Sequence, residues 1–175
     1  CTDQAIRAIL EDWTDAVVLA VSYPHGPGKY IEPVGSGFQS EFESGRALRA
    51  RESDRALCVC RDADFKKSIQ ELKGQEDAGA HAAITEPFYD VGTFLRFIVA
   101  TRQEGVTIPI IPCVRPISTA EDFEHRAGCR FIRVPPGVEG TVERLGVEGT
   151  PKDIEEYGVS LAFTAAKALM LRGVQ

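Results

Sequence analysis

Runs of apolar residues alternate along the chain with stretches in which apolar residues recur every three or four positions. The runs are continuous rather than interrupted at every second position, which is typical of strands buried on both faces. Strands of this kind, alternating with amphipathic helices, predict a parallel α/β architecture. The predicted strands cover residues 16–21, 56–60, 82–85 and 108–114.

The helical stretches begin at recognisable signals. Asp90 is the predicted N-cap of a helix that buries Phe94 and Phe97. Ser118 and Thr150 are each followed three residues later by an acid, which is the capping-box pattern. The predicted helices cover residues 3–13, 43–51, 65–77, 91–103, 118–126 and 151–171.

Two glycine- and proline-rich segments, 24–38 and 134–149, are predicted as loops. Each lies inside the alternating pattern and so does not resemble a linker between domains. We therefore expect residues 1–175 to form a single domain.

Charge and cysteine content narrow the class of protein. A net charge of −6 and a pI of about 5.2, with lysines and arginines scattered, argue against nucleic acid as a partner. The apolar runs are too short for a membrane-spanning helix, so no direct insertion into a membrane is expected. The odd number of cysteines, five, and their spacing match neither a disulfide framework nor a metal site. We expect no metal and an intracellular, reducing compartment, with the cytosol and the mitochondrial matrix not distinguished.

Polar residues follow the predicted strands, where parallel α/β proteins place their functional groups. They are Ser22, Tyr23, Arg61, Asp62, Glu86 and Arg115. Two acids and two arginines at one edge could bind a polar ligand or supply a general acid. Structural salt bridges are the favoured interpretation, because no nucleophile is paired with a base.

The segment Ala78–Asp90 (AGAHAAITEPFYD) carries a resemblance that continues through 93–97, 107–112, 115–119 and 154–162. These motifs resemble those of the methylenetetrahydrofolate reductase family, strongly over 78–175 and more weakly over 1–77. The resemblance implies a (β/α)8 barrel that binds FAD at its strand ends. It also implies hydride transfer from a nicotinamide cofactor, through the flavin, to methylenetetrahydrofolate. The chain would correspond to a partial or degenerate barrel with strands 4–7 and their helices.

The catalytic positions implied by the resemblance carry other residues in this chain. Tyr23 stands where the family has an aspartate near the flavin and folate. Glu86 stands where the family has a folate-contacting glutamine. Ala120 replaces an aromatic residue that stacks on the folate, so aromatic contact is lost.

The implied cofactor positions are replaced as well. Asp62 falls in the turn where the family has Gly-Tyr-Pro, and the following flavin-binding histidine has no counterpart. Ser68 and Gln75 stand where the family has an aspartate and a lysine that contact FAD. The replacements remove a cation and add negative charge near an anionic dinucleotide.

Three functions remain, and the first two are in close competition. The favoured one is a non-catalytic, methylenetetrahydrofolate-reductase-like accessory subunit with no bound cofactor. Other protein chains would cover its open barrel edges, and a large mitochondrial assembly is one candidate. The alternative is an active FAD-dependent reductase represented by an incomplete chain. A small-molecule binding module that uses Arg61, Glu86 and Arg115 ranks last. The chain has 175 residues, whereas a complete barrel has about 250. In either leading case we therefore expect a chain that is truncated or completed by partners.

Overall fold

A computed structural model describes residues 2–33, 47–49, 57–128, 132 and 134–174. The helices are α1 (Thr2–Asp12), α2 (Asp62–Asp77), α3 (Val91–Gln103), α4 (Ala120–Ala127), α5 (Pro136–Glu148) and α6 (Pro151–Met170). The strands are β1 (Leu19–Ser22), β2 (Ile31–Pro33), β3 (Ala47–Arg49), β4 (Leu57–Cys60), β5 (Ala82–Thr85) and β6 (Ile110–Ile111). A 3-10 turn, η1, covers Gly28–Tyr30.

β1, β5 and β6 form a parallel sheet in that order, which confirms the predicted α/β class. Val21 lies beside Ile84, and Ile84 lies beside Ile111. β6 is shorter than the predicted strand over 108–114. Pro109 and Pro112 flank it, and proline has no N–H to donate to a strand ladder.

The predicted strand at 56–60 forms, but it belongs to a different sheet. β4 pairs antiparallel with β2 on one side and with β3 on the other. The prediction that it extends the parallel sheet is therefore wrong. Antiparallel partners can come from nearby segments through short connections. The Gly- and Pro-rich stretch 24–38 supplies one such partner, the strand β2.

Two further predictions fail in the same region. Residues 31–33 were predicted as loop and form β2, while residues 47–49 were predicted as helix and form β3. Cross-strand pairing with β4 overrides the helical preference of Ala-Leu-Arg. Residues 43–46 and 50–51 of that predicted helix, and residues 34–38 of the predicted loop, lie outside the described residues.

Local capping signals locate most of the other helices correctly. The Asp90 side chain accepts a hydrogen bond from the Gly92 N–H at 2.9 Å, and α3 covers the predicted range. Thr150 and Asp153 form the predicted capping box of α6. For α4 the predicted cap is wrong by one residue: Thr119, not Ser118, accepts from the N–H of Asp122, at 3.0 Å.

The predicted loop at 134–149 is largely a helix. Pro136 occupies the first turn of α5, where its missing N–H costs nothing. Val138 and Val142, four residues apart, are buried against α4 and α6. Packing of this face outweighs the low helical preference of the glycines.

The core consists of two clusters. The larger one surrounds the parallel sheet and contains Phe94, 0% exposed, and Phe97, 2% exposed, as predicted. Phe94 stacks on Phe88 with ring centroids 5.1 Å apart. Cys60 is buried in the same cluster, as expected of a small apolar side chain. The smaller cluster lies among α4, α5 and α6.

Two negative observations apply to the described part of the chain. None of its helices combines the length and the apolar character needed to cross a membrane. Its His, Cys, Asp and Glu side chains form no group of three or more that could hold a metal ion.

Candidate functional site

Hydrogen bonds that involve two buried hydroxyl groups hold together the carboxyl ends of β1 and β5 and the segment after β6. Ser22 Oγ donates to the carbonyl of Ile84 at 3.3 Å. Thr85 Oγ1 accepts from the N–H of Cys113 at 2.9 Å. The N–H of Glu86 donates to the Ser22 carbonyl at 2.9 Å. These hydroxyls bind backbone groups, so they fix the strand ends.

A cavity of about 780 Å³ lies beside β1, bordered by α1, α2 and η1. Three of the positions marked by the family resemblance line it: Tyr23, Ser68 and Gln75. Tyr23 follows β1, while Ser68 and Gln75 lie on the face of α2 toward that strand. Ser68 Oγ donates to the Phe65 carbonyl of its own helix at 2.7 Å. The cavity is therefore the candidate site.

The charged groups of this cavity were not foreseen from the sequence. Lys29 Nζ lies 3.0 and 2.8 Å from the two carboxylate oxygens of Glu71. Tyr30 Oη also donates to Glu71, at 2.6 Å. The bond to Glu71 raises the pKa of Lys29. Burial acts to raise the pKa of Glu71, but the bonds from Lys29 and Tyr30 lower it overall.

The charged side chains that line this cavity are acidic on balance. Among the described residues that line the cavity, Lys29 is the sole cation, and it is bonded to Glu71. Asp3, at the start of α1, adds a further acid. A diphosphate is bound by unneutralised cations or by N–H groups at a helix N-terminus. Here the acid in the first turn of α1 opposes such binding.

The remaining predicted positions do not join this cavity. Asp62 is exposed in the first turn of α2, where a carboxylate interacts favourably with the helix dipole. Glu86 is half-buried and directly follows the last residue of β5. Ala120 begins α4 and lines a separate cavity of about 330 Å³ that also contains Glu124, Glu139 and Glu143.

The structure does not place the two predicted acids and two arginines together at one edge of the parallel sheet. Arg61 and Asp62 follow β4, which is not a strand of the parallel sheet. Arg115 lies 3.7 Å from Asp122 on α4. Asp122 also accepts from Nε of the buried Arg126 at 3.0 Å. Arg115 therefore pairs with an acid outside the predicted set.

Comparison with known proteins identifies relatives of this chain. The sequence model described as methylenetetrahydrofolate reductase matches residues 56–175. The chain is 25% identical over 190 residues to methylenetetrahydrofolate reductase (NADH) 1 of Arabidopsis thaliana, an alignment covering 98% of this chain and 32% of that protein. It is 33% identical over 107 residues to 5,10-methylenetetrahydrofolate reductase of Salmonella typhimurium, covering 59% of this chain and 34% of that one. The chain thus spans about a third of the length of these relatives.

The matched range extends from the start of β4 through α6, and it contains the motifs on which the resemblance rests. It includes the segment Ala78–Asp90, which forms β5 and the cap of α3, and the Tyr157-Gly158 pair of α6. The match covers well over half of the chain. The chain belongs to the methylenetetrahydrofolate reductase family.

Proposed function

We propose that this chain is a non-catalytic member of its family that has lost flavin and folate binding. It would form a degenerate, partial (β/α)8 barrel, equivalent to strands 4–7 and their helices. Its role would be that of an accessory or structural subunit in a larger assembly. The observation that carries the proposal is the charge of the cavity beside β1.

In that cavity, each change from the family pattern removes a group useful for flavin chemistry. Tyr23 replaces a carboxylate, and Gln75 replaces an ammonium group. Lys29 does not compensate, because its ammonium group lies between the oxygens of Glu71. The folate-stacking position, Ala120, lines a different cavity and has no ring to offer.

Exposed apolar side chains on the parallel sheet support the proposal that partner chains bind there. Leu19, Val21 and Ile111 are 49%, 47% and 42% exposed, although they belong to strands of the parallel sheet. Interior positions of a closed barrel are packed by side chains from the other strands. The described sheet also ends in two open edges, β1 and β6. Other protein chains would cover this face and these edges.

The half-buried Cys113 carries a free thiol, which fits a reducing compartment. The cytosol and the mitochondrial matrix both meet that condition. A large mitochondrial assembly is therefore one setting for the proposed subunit.

A flavin-binding experiment tests the proposal. The purified full chain should lack the blue absorption band of bound flavin, and it should not quench the fluorescence of added FAD. It should also fail to oxidise NADH or NADPH in the presence of an artificial electron acceptor. Bound flavin together with nicotinamide oxidation would show that the chain is an active reductase.

A matched pair of variants tests the cavity itself. Gln75→Lys restores a cation at the family position, so pyrophosphate or FAD should bind more tightly than to the unmodified chain. Gln70→Lys makes the same change at an exposed position of α2 outside the cavity lining. Equal effects of the two variants would contradict the assignment of the cavity as the degenerate cofactor site.

The alternative function is an active FAD-dependent reductase. The observation that favours it is coverage: the chain spans about a third of relatives that are named as reductases. Contacts to the flavin would then come from residues outside this chain, together with Arg61 or Arg115. A coloured protein that is stable without other chains would favour this alternative, and a colourless protein that is stable only in complex would favour the accessory subunit.

A further inference from the structure

A second cavity, of about 390 Å³, lies against helix α3. Its walls come from the segment after β1, from the first turn of α2 and from α3. We call it the α3 cavity. Of its described lining residues, Phe97 alone also lines the cavity beside β1. The volume of the α3 cavity lies within the range of about 300–1,000 Å³ that small-molecule sites occupy.

Aromatic rings form an apolar part of the wall. Phe65 of α2 and Phe97 of α3 are 6% and 2% exposed, and they pack edge to face with ring centroids 6.2 Å apart. Ala100 follows Phe97 on the same helix and also lines the cavity. Because the side chain of Ala100 is a single methyl group, it fills little of the space. An apolar ligand body could therefore be removed from water here.

Polar side chains of two kinds line the same cavity. The imidazole side chain of His25 is 7% exposed, so it belongs to the buried wall. Arg96 is at the open side, with its side chain 54% exposed. The described lining includes this cation and no Asp or Glu, although the chain carries a net charge of −6. The α3 cavity thus differs from the acidic cavity beside β1 in the sign of its charge.

The guanidinium group of Arg96 is held in place by its own helix. Its Nη2 donates to the hydroxyl of the buried Thr93 at 2.9 Å and to Oδ2 of Asp90 at 3.4 Å. The Thr93 hydroxyl in turn donates to Asp90 at 2.8 Å, and Asp90 also caps α3 through the N–H of Gly92. Asp90 is therefore shared among three donors. Both described bonds of Arg96 use Nη2, and a guanidinium has N–H donors on two further nitrogens.

We propose that the α3 cavity binds a small carboxylate whose apolar body is about the size of one aromatic ring. The body would pack on Phe65 and Phe97 beside Ala100, and the carboxylate would accept from Arg96 through charge-assisted hydrogen bonds. A phosphate dianion fits less well, because the one lining arginine already shares its charge with Asp90. The inference does not depend on the loss of flavin binding, which concerns the cavity beside β1.

The positions of the three histidines make a binding experiment specific. His25 lines the α3 cavity, whereas His81 directly precedes β5 and His125 belongs to α4. In the NMR spectrum of the full chain, phenylpropionate should shift the imidazole signals of His25 and leave those of His81 and His125 in place. We expect a Kd of about 1 mM for so small a probe. Phenylpropanol has the same ring without the charge and should bind about tenfold more weakly.

Variants of α3 separate the charge from the apolar wall. Arg96→Gln should weaken the binding of phenylpropionate by about tenfold and leave that of phenylpropanol unchanged. Arg102→Gln removes the other arginine of α3, which lies outside the cavity lining, and should change neither. Ala100→Leu should abolish the binding of both probes, because the larger side chain fills the cavity.

Thermal denaturation identifies any variant that has unfolded, and the two arginine variants test the proposal even where Ala100→Leu does not fold. No shift at His25 with about 20 mM phenylpropionate, well above the expected Kd, would overturn the proposal. Equal shifts at all three histidines would overturn it too, since they would show binding without a site. So would equal binding of the two probes, or an equal loss in Arg96→Gln and Arg102→Gln.

Discussion

Glu76 joins helix α2 to the segment that precedes β6. Its carboxylate accepts from the N–H of Thr107 at 3.0 and 3.2 Å, from the N–H of Ile108 at 3.2 Å and from the Thr107 hydroxyl. Its side chain is 11% exposed and lies 3.6 Å from Lys73 Nζ. Burial acts to raise the pKa of Glu76, but these donors and Lys73 lower it overall.

We predict that Glu76→Gln lowers the free energy of unfolding at pH 7 by about 1–2 kcal/mol, because the Thr107 and Ile108 donors lose a charged acceptor. Since the folded-state pKa lies below the ordinary 4.5, the contribution of the ion is complete above that value. It is lost as the pH falls through the folded-state pKa. Urea denaturation of both proteins between about pH 7 and pH 3 should therefore give curves that converge in acid. Glu155→Gln, on exposed α6 surface, is the control. A constant difference at every pH would contradict the assigned role of the carboxylate.

Gly158 allows helix α6 to touch the backbone before α4. A Cβ at this position would lie 2.0 Å from the carbonyl oxygen of Ile117 and 2.7 Å from its carbonyl carbon and its nitrogen. Because all three are backbone atoms, the side chain of Ile117 cannot relieve the contact by changing rotamer. Helix and segment would have to separate.

We predict that Gly158→Ala destabilises the protein by about 3 kcal/mol or more. Gly140→Ala is the matched control, because a Cβ there meets nothing within 4 Å. That change should be neutral or stabilise by up to about 1 kcal/mol, since alanine favours a helix over glycine. Thermal denaturation of the two variants measures the difference. Similar melting temperatures would show that the close approach at Ile117 is not tight.

At the scale of elements, sequence patterns locate the helices with local start signals and miss the elements made by distant contacts. Asp90 and Thr150 mark the starts of α3 and α6 because their caps involve only neighbouring residues. The glycines before Gly149 predict a loop, yet Val138 and Val142 of α5 pack on two other helices. Similarly, β3 forms because β4 lies beside it, and no local signal reports that pairing.

The candidate site divides in the same way. Tyr23, Ser68 and Gln75 were marked by motif position, and the fold brings them to one cavity. Lys29 and Glu71 are 42 positions apart, and no spacing rule relates them. Arg61 was expected beside the other strand ends, but the antiparallel pairing of β4 separates it from that sheet. Motif positions thus indicate three residues that share one cavity, whereas the charge balance of the cavity required the fold.

Substitutions in helix α3 test which of its faces packs into the larger core cluster. Its Phe94 is fully buried and stacks on Phe88, so Phe94→Ala should leave a cavity and cost about 3–5 kcal/mol. Val99 lies on the same helix and is 57% exposed. Val99→Ala should therefore change the free energy of unfolding by less than about 1 kcal/mol. Urea denaturation of both variants gives the comparison, and equal losses would mean that the inward face of α3 is wrongly assigned.

At the scale of the whole molecule, α6 has buried residues in both core clusters. Ile154, near its N-terminus, is buried in the cluster among α4, α5 and α6. Leu169, near its C-terminus, is buried in the cluster around the parallel sheet. Gly158 holds the helix against Ile117 between these two anchors. Because one helix is anchored in both clusters, we expect unfolding of one cluster to destabilise the other.

We therefore predict that the two clusters unfold together. Ile154→Ala and Leu169→Ala should each cost about 2–5 kcal/mol, as truncations of buried residues do. Each should lower the hydrogen-exchange protection of α3 and of α5 by the same free energy, because protection in a cooperative unit follows global unfolding. Val159→Ala, on the exposed side of α6, is the control and should leave protection in both helices unchanged. If Ile154→Ala lowered protection in α5 while α3 kept its full value, the clusters would be independent and α6 would not couple them.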